Sequence, residues 1–138
     1  MTPTKKSFFP WKPDYSVHHP DIDRQHQRLA TLVNDLHVAM AEGKGRLAVG
    51  CVLTELVEYT KNHFSYEERQ MERAGFPEVA QHKQLHHKLL QRVDEFVKEW
   101  KERQSVNVVE VSDFLKEWLL KHIGENDRPL AAYLTAQG

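Results

Sequence analysis

The stretch "NHFSYEERQM", residues 62–71, places polar side chains where the pattern of the surrounding helix calls for apolar ones. That helix is predicted from about residue 46 to residue 74, where the sequence "GFP" ends it. At helical spacing, His63 and Glu67 fall on the same stripe as the leucines that precede them. The stretch therefore predicts one of two things, either a solvated polar face or a buried site at which both side chains bind a metal ion.

Three more helices with the same kind of stripe follow from start and stop signals along the chain. Their predicted bounds are Pro20 to Gly43, about Glu78 to Gln104, and Ser112 or Asp113 to a point weakened by Gly124. The segment "VNVVEV", residues 106–111, has no partner strand and is expected to lead into the last helix. Short loops between four amphipathic helices predict an all-α fold, an antiparallel up-down-up-down four-helix bundle. Residues 1–19 are expected to form an N-terminal loop arm, and residues 20–138 the bundle.

The composition predicts an ordinary single domain and excludes several classes of partner. The chain has 138 residues, with 19 Lys and Arg against 20 Asp and Glu, so its net charge is −1. Because no basic excess is present, we expect neither a nucleic acid nor a membrane as a partner. No segment has the pattern of a signal peptide or a membrane span, and the single Cys51 cannot form an internal disulfide, so we expect a cytoplasmic protein. We also expect Cys51 to be inert and the protein to be a monomer.

Nine histidines are the unusual feature of the composition, and each predicted helix carries at least one on its core stripe. Burying an unpaired polar group costs about 1–3 kcal/mol, so several such groups need a common explanation. Antiparallel topology brings the polar stripe positions of all four helices to the same end of the bundle. The sequence therefore predicts a metal site built by His26, His63, Glu67, His82, His86, His122 and Asp127.

The spacing of these residues restricts the kind of metal site. A zinc protease needs glutamate directly after the first histidine of HExxH, whereas "HKQLH" has Lys83 there. Ferritin-like di-iron proteins use Glu-x-x-His, which this sequence lacks. Five imidazoles and two carboxylates suit iron and exceed the needs of one tetrahedral zinc ion. In a regular helix Asp127 would lie roughly 140° round from His122, so we expect the helix to loosen after Gly124.

In their order along the chain, these motifs resemble those of the hemerythrin-like domain family, and within it the single-domain bacteriohemerythrins. The matching elements are His26 within "IDRQH", then "HFSYE", "GFPEVAQH", "HKQLH" and "HIGEND". The resemblance extends from about Trp11 to Leu134. It implies a non-haem pair of iron ions with an oxo or hydroxo bridge, at which dioxygen binds reversibly, and a protein that carries, stores or senses the gas without being an enzyme.

The resemblance also implies a role for each site residue. Glu67 and Asp127 would bridge the two irons. One iron would be bound by His82, His86 and His122, and the other, which has the open position for dioxygen, by His26 and His63. The pocket around the open position would be formed by the apolar residues Leu119, Phe64, Trp118 and Ile22.

Two alternatives and one departure from the family remain open in the sequence. The same open position would also suit a di-iron enzyme that reduces peroxide or nitric oxide, and the ligands alone would suit an iron-storage module. The family often has a small residue after "SV" before the first helix, whereas this chain has His18 and His19. We expect surface or helix-capping roles for these two histidines.

Overall fold

The computed structural model describes residues 8–43, 45–103 and 108–137, and nearly all of them are helical. The elements are a 3₁₀ turn at Pro13–Tyr15, α1 at Pro20–Ala41, α2 at Arg46–Ala74, α3 at Val79–Arg103, α4 at Val108–Lys121, a π-helix at His122–Asp127 and α5 at Arg128–Gln137. The described ranges contain no strand. The all-α fold class predicted from the sequence is confirmed.

Local signals explain where α1 and α2 begin and end. Pro20 occupies the first turn of α1, and Nδ1 of His19 caps the helix by accepting a hydrogen bond from the Ile22 amide at 3.3 Å. The helix α2 ends at Gly75, whose φ of 66° is the left-handed conformation that glycine adopts without strain. The Phe76 amide then donates to the Met71 carbonyl at 2.9 Å, which completes the C-terminal cap. Both bounds of α2 match the sequence prediction.

The start of α4 differs from the prediction. The helix begins at Val108 rather than at Ser112 or Asp113, so the described part of "VNVVEV" is helical. Val111 is 3% exposed and lies four residues before the buried Leu115, on the same face of the helix. Packing of this face therefore outweighs the strand preference of the valines. The described residues do not include residues 106 and 107 of this segment. They also do not include residue 104, where the third helix is predicted to end.

Side-chain contacts between neighbouring helices show the antiparallel order. α1 packs against α2 and α4, and α2 packs against α3. Along α1 and α4, His26 meets Asp127 whereas His37 meets Ser112, so the two helices run in opposite directions. The same opposite progression is seen for the other neighbouring pairs. The contacts are Arg28 with Glu55 and Gln25 with His63, then Glu67 with His86 and Glu72 with Lys83, and finally His82 with Asp127 and Arg92 with Glu110. The bundle is therefore up-down-up-down.

The N-terminal segment lies against α1 and the C-terminal helix. Phe9 is 1% exposed, and its backbone makes two hydrogen bonds with the Asn34 side chain, at 2.6 and 2.9 Å. Arg128 donates to the carbonyls of Asp14 and Ser16, which ties the segment to α5. The division into an arm of residues 1–19 and a bundle of residues 20–138 remains a prediction. Within the described ranges, no helix is both long and apolar enough to cross a membrane.

The core has two chemically different parts. Most of its length is filled by buried aliphatic and aromatic side chains from all the helices. At one end, the start of α1, the end of α2, the start of α3 and the π-helix bring buried polar side chains together instead. This polar end is where the candidate site lies.

Candidate metal centre

All seven side chains that the sequence predicts as ligands meet at this end of the bundle, and each is at most 4% exposed. They are His26 from α1, His63 and Glu67 from α2, His82 and His86 from α3, and His122 and Asp127 from the π-helix. Such complete burial excludes the solvated-face interpretation of His63 and Glu67.

The first of two groups of ligand atoms gathers around Asp127. Its Oδ2 lies 2.5 Å from Nε2 of His26, 2.7 Å from Nε2 of His122 and 3.4 Å from Nε2 of His63. Nε2 of His63 is in turn 3.1 Å from Nε2 of His122 and 3.5 Å from Oε2 of Glu67. One ligand atom from each of these five residues lies within 4.8 Å of the others, which is close enough to surround one metal ion.

The second group gathers around the other oxygen of Glu67. Its Oε1 lies 3.0 Å from Nε2 of His86, 3.3 Å from Nε2 of His122 and 3.5 Å from Nε2 of His82. Nε2 of His82 also lies 3.3 Å from Oδ1 of Asp127. Glu67 thus faces both groups with different oxygens, and so does Asp127, which is the arrangement that two bridged metal ions require. His122 belongs to both groups, whereas the sequence-based assignment paired it with His82 and His86 alone.

The donor set fits metal ions better than it fits a hydrogen-bonded core. Neighbouring ligands of an octahedral ion are about 3.0 Å apart when the metal–ligand distance is about 2.1 Å, and most of the spacings above are close to this. Among the described residues, Nε2 of His82, Oε2 of Glu67 and Oδ1 of Asp127 are buried without a hydrogen-bond partner. Buried polar atoms normally have partners, so these atoms indicate a cation-binding site. Mixed imidazole and carboxylate donors suit iron.

The electrostatics of the two carboxylates are set by the surrounding imidazoles. Burial alone would raise the pKa of Glu67, and so would the charge of Asp127, but His63 and His122 outweigh both and lower the pKa to about 2. Burial would also raise the pKa of Asp127, whereas the charge of His122 and hydrogen bonds hold it well below its usual range. Both carboxylates are therefore ionised at neutral pH, as metal ligands must be.

The imidazoles of the cluster differ in the direction of their pKa shifts. Burial would lower the pKa of His82, but the nearby carboxylates of Asp127 and Glu67 raise it to about 9. Burial likewise opposes the rise in the pKa of His122 to about 10, which the charges of Asp127 and Glu67 cause. For His86, burial prevails and lowers the pKa to about 4. In the metal-free protein, protons on His82 and His122 thus balance the two carboxylates, and a metal ion would displace them.

A π-helix explains how residues five apart can serve one site. In a regular α-helix, Asp127 would point away from the direction of His122, but the segment His122–Asp127 has the i→i+5 pattern of a π-helix. Residues five apart then lie on one face, and Oδ2 of Asp127 comes within 2.7 Å of Nε2 of His122. The loosening expected after Gly124 is present, and it begins two residues earlier, at His122.

Comparison with known proteins agrees with this geometry. Residues 18–134 match the family described as the hemerythrin HHE cation binding domain. The chain belongs to the hemerythrin family. A bacteriohemerythrin of Stenotrophomonas maltophilia is 36% identical over 91% of this chain and 81% of its own length. A bacteriohemerythrin of Methylococcus capsulatus is 31% identical over 83% of this chain and 86% of its own length.

Solved structures of the family have the same fold. A crystal structure of wild-type hemerythrin superposes with a TM-score of 0.86 at 28% identity, covering 94% of this chain and 99% of that one. The structure of a leucine-to-alanine mutant of hemerythrin gives 0.87 at 27% identity with the same coverage. The resemblance inferred from the sequence motifs is therefore confirmed along nearly the whole chain.

Aromatic side chains cover one side of this hemerythrin centre. The Phe64 ring stacks on the His86 ring, with centroids 3.7 Å apart and planes 5° from parallel. The Trp118 ring stacks on His122 at 5.2 Å and meets Phe64 edge-on at 6.0 Å. Phe64 is 2% exposed, whereas Trp118 is only partly buried, so Trp118 lies between the centre and the surface.

The other two predicted pocket residues are aliphatic and fully buried. Ile22 precedes His26 by four residues on α1. Leu119, on α4, precedes His122 by three, where α4 continues into the π-helix. Residues three or four apart share a helix face, so both side chains lie on the faces that carry the histidines. That these residues line a ligand pocket remains a proposal.

Three polar residues outside the ligand set have distinct positions. His19 caps α1, and His18 is exposed with a φ of 60°, so both occupy the capping and surface positions expected for them. Gln25 was missed by the sequence analysis, although its side-chain oxygen lies 2.6 Å from Nδ1 of His63. The sequence shows only that Gln25 directly precedes His26 within "IDRQH". This position does not reveal which neighbouring helix the side chain faces.

Proposed function

We propose that the chain binds dioxygen reversibly at a pair of non-haem iron ions. The observation that carries the proposal is the sharing of two buried carboxylates between two groups of imidazoles, with Glu67 facing both groups through different oxygens. Membership of a cation-binding hemerythrin family supports the same function. The number of irons, their identity and the gas that they bind are parts of the proposal.

We assign the ligands as the sequence predicts. Glu67 and Asp127 would bridge the ions. His82 and His86 occur only in the second group of ligand atoms, and His26 and His63 only in the first, which supports their assignment to different ions. His122, which lies near both groups, joins His82 and His86 in this assignment. The ion held by His26 and His63 would then have fewer protein ligands and would retain the open position.

The apolar surroundings determine what the open position can do. When bound, a ferrous pair supplies the redox chemistry, one electron from each ion, that makes dioxygen binding reversible. The Phe64 ring lies 5.9 Å from the His63 ring and also stacks on His86, and Leu119 is fully buried, so both limit the access of water to the cluster. Exclusion of water and protons protects such a pair from irreversible oxidation. This arrangement favours a carrier, store or sensor of dioxygen over an enzyme.

The test is gas cycling of the reduced, iron-loaded protein. Ferrous iron is added without air, its content per chain is measured, and dioxygen is admitted and then removed by argon while the visible spectrum is recorded. We expect two irons per chain and a visible band that appears with dioxygen and disappears without it. The zinc-loaded protein is the control and should stay colourless, because zinc has no redox chemistry.

Three results would contradict the proposal in different ways. A colour that forms once and does not respond to argon would show that binding is not reversible. Rapid multiple turnover of peroxide or nitric oxide would indicate a di-iron enzyme. Iron that is retained but gives no response to dioxygen would indicate storage.

A further inference from the structure

One side chain outside the ligand set holds a ligand histidine in place. The side-chain oxygen of Gln25 lies 2.6 Å from Nδ1 of His63 and bridges α1 to α2. Gln25 is half-buried and directly precedes His26. Two adjacent residues of α1 therefore serve the first group: His26 is one of its ligands, and Gln25 contacts another, His63. The contact lies on the side of the His63 ring that faces away from the cluster.

The hydrogen bond selects the form of His63 that can bind a metal ion. Nε2 of His63 faces the cluster, 3.1 Å from Nε2 of His122 and 3.4 Å from Oδ2 of Asp127. A neutral imidazole that binds a cation through Nε2 must carry its proton on Nδ1. That N–H then donates to the Gln25 oxygen, which fixes both the tautomer and the orientation of the ring.

Other ring nitrogens that face away from the centre are held differently. Nδ1 of His26 is buried without a hydrogen-bond partner among the described residues. Nδ1 of His86 also lacks one, and its nearest acidic group, Oε2 of Glu68, is 3.8 Å away. His63 thus has a close, uncharged acceptor, whereas His86 on the other side of the cluster faces a more distant carboxylate.

We propose that Gln25 is a positioning residue that sets the iron affinity and the reduction potential of the ion bound by His26 and His63. This inference rests on the proposed function. An amide oxygen orients the ring without drawing the proton away from Nδ1. A carboxylate at the same place would make the imidazole a stronger electron donor and would favour the ferric state. The neutral acceptor therefore keeps the ferrous form of this ion accessible.

Two variants and a matched control separate the effect of the hydrogen bond from the effect of the neutral charge of its acceptor. Gln25→Met keeps the length of the side chain but removes the acceptor, and Gln25→Glu keeps an acceptor and adds charge. Gln27→Glu adds the same charge to an exposed position two residues away. Each iron-loaded protein is examined for iron content, iron affinity by chelator competition, and reduction potential by spectroelectrochemistry under argon.

We expect Gln25→Met to weaken binding of one iron by about 10–100-fold, the usual effect of removing the partner of a ligand histidine. Gln25→Glu should retain both irons and shift the reduction potential below that of the parent, whereas Gln27→Glu should leave the potential unchanged. Equal potentials for Gln25→Glu and Gln27→Glu, or unchanged iron affinity in Gln25→Met, would overturn the inference.

The readouts do not depend on dioxygen, so the two proposals can fail separately. If the parent protein gives no reversible response to dioxygen but the potential of Gln25→Glu still falls, only the proposed function is wrong. If the parent cycles with dioxygen and the potential of Gln25→Glu equals that of the parent, only the role of Gln25 is wrong.

Discussion

His122 and Asp127 are separated by five residues, yet Oδ2 of Asp127 lies 2.7 Å from Nε2 of His122 because the segment between them is a π-helix. The contact of Asp127 with His26, which is 101 residues away in the sequence, holds the carboxylate on this face from the opposite helix. These side-chain contacts therefore help to hold the wide turn, a rare conformation that occurs mostly at functional sites.

Replacing Gly124 tests this explanation. Gly124 lies within the π-helix, and a Cβ atom added there would meet nothing within 4 Å. Gly124→Ala should therefore raise the free energy of unfolding of the metal-free protein by about 0.4–1 kcal/mol, because alanine has less conformational freedom in the unfolded chain. Urea unfolding measures the change, and the iron content should stay at the parent value. A loss of both stability and iron would show that the π-helix needs the glycine itself.

Much of the fold and the cluster follows from local patterns in the sequence. Pro20 and Gly75 mark the start of α1 and the end of α2, as their positions predict. The histidines on the core-facing stripes all fall at the same end of an antiparallel bundle, which predicted that residues from four helices would meet. The structure brings them together. Both inferences needed only helical periodicity and antiparallel topology, which are regular enough to be deduced from one sequence.

Other features depend on contacts between distant residues and could not be deduced in the same way. The helical start at Val108 reflects burial of Val111 against the other helices, which the local strand preference of "VNVVEV" conceals. The extent of the π-helix depends on the contact between Asp127 and His26. The role of Gln25 depends on α2, because only the packed structure shows that its side chain faces His63.

Glu67 carries one of the two charges that both groups of histidines share, since its two oxygens face different groups. We expect Glu67→Gln, which keeps the shape but removes the charge, to bind fewer than two irons per chain. Glu58→Gln on the exposed face of α2 is the matched control and should keep the full complement. Iron is measured by metal analysis after desalting. Two retained irons in Glu67→Gln would refute the bridging assignment.

Leu119 is predicted to protect the reduced pair from water. It is fully buried, one helical turn before His122. Leu119→Asn should speed the oxidation of the dioxygen-bound protein, because a buried amide without partners costs about 1–3 kcal/mol and attracts water. Leu115→Asn introduces the same polarity one turn further from the centre and controls for general loosening of the core. The rate of loss of the visible band under air measures oxidation, and equal rates for Leu119→Asn and the parent would show that Leu119 does not guard the site.

The metal-free protein should be most stable near a pH of about 6.5, the ordinary pKa of histidine. His82 and His122 have folded-state pKa values of about 9 and about 10, so the stability they contribute is complete below the unfolded pKa and is lost as the pH rises through those values.

Two other histidines act in the opposite direction. Burial lowers the pKa of His26, and it lowers the pKa of His86 to about 4, so stability is also lost as the pH falls below about 6.5. Urea midpoints measured from about pH 4 to about pH 10 should therefore pass through a maximum. Bound metal displaces the protons of His82 and His122, so metal binding should release protons. The loss of stability at alkaline pH should therefore be smaller in the metal-loaded protein. A profile of the metal-free protein that keeps rising up to about pH 9 would contradict the placement of these protons, because it would mean that the carboxylates are not balanced by His82 and His122.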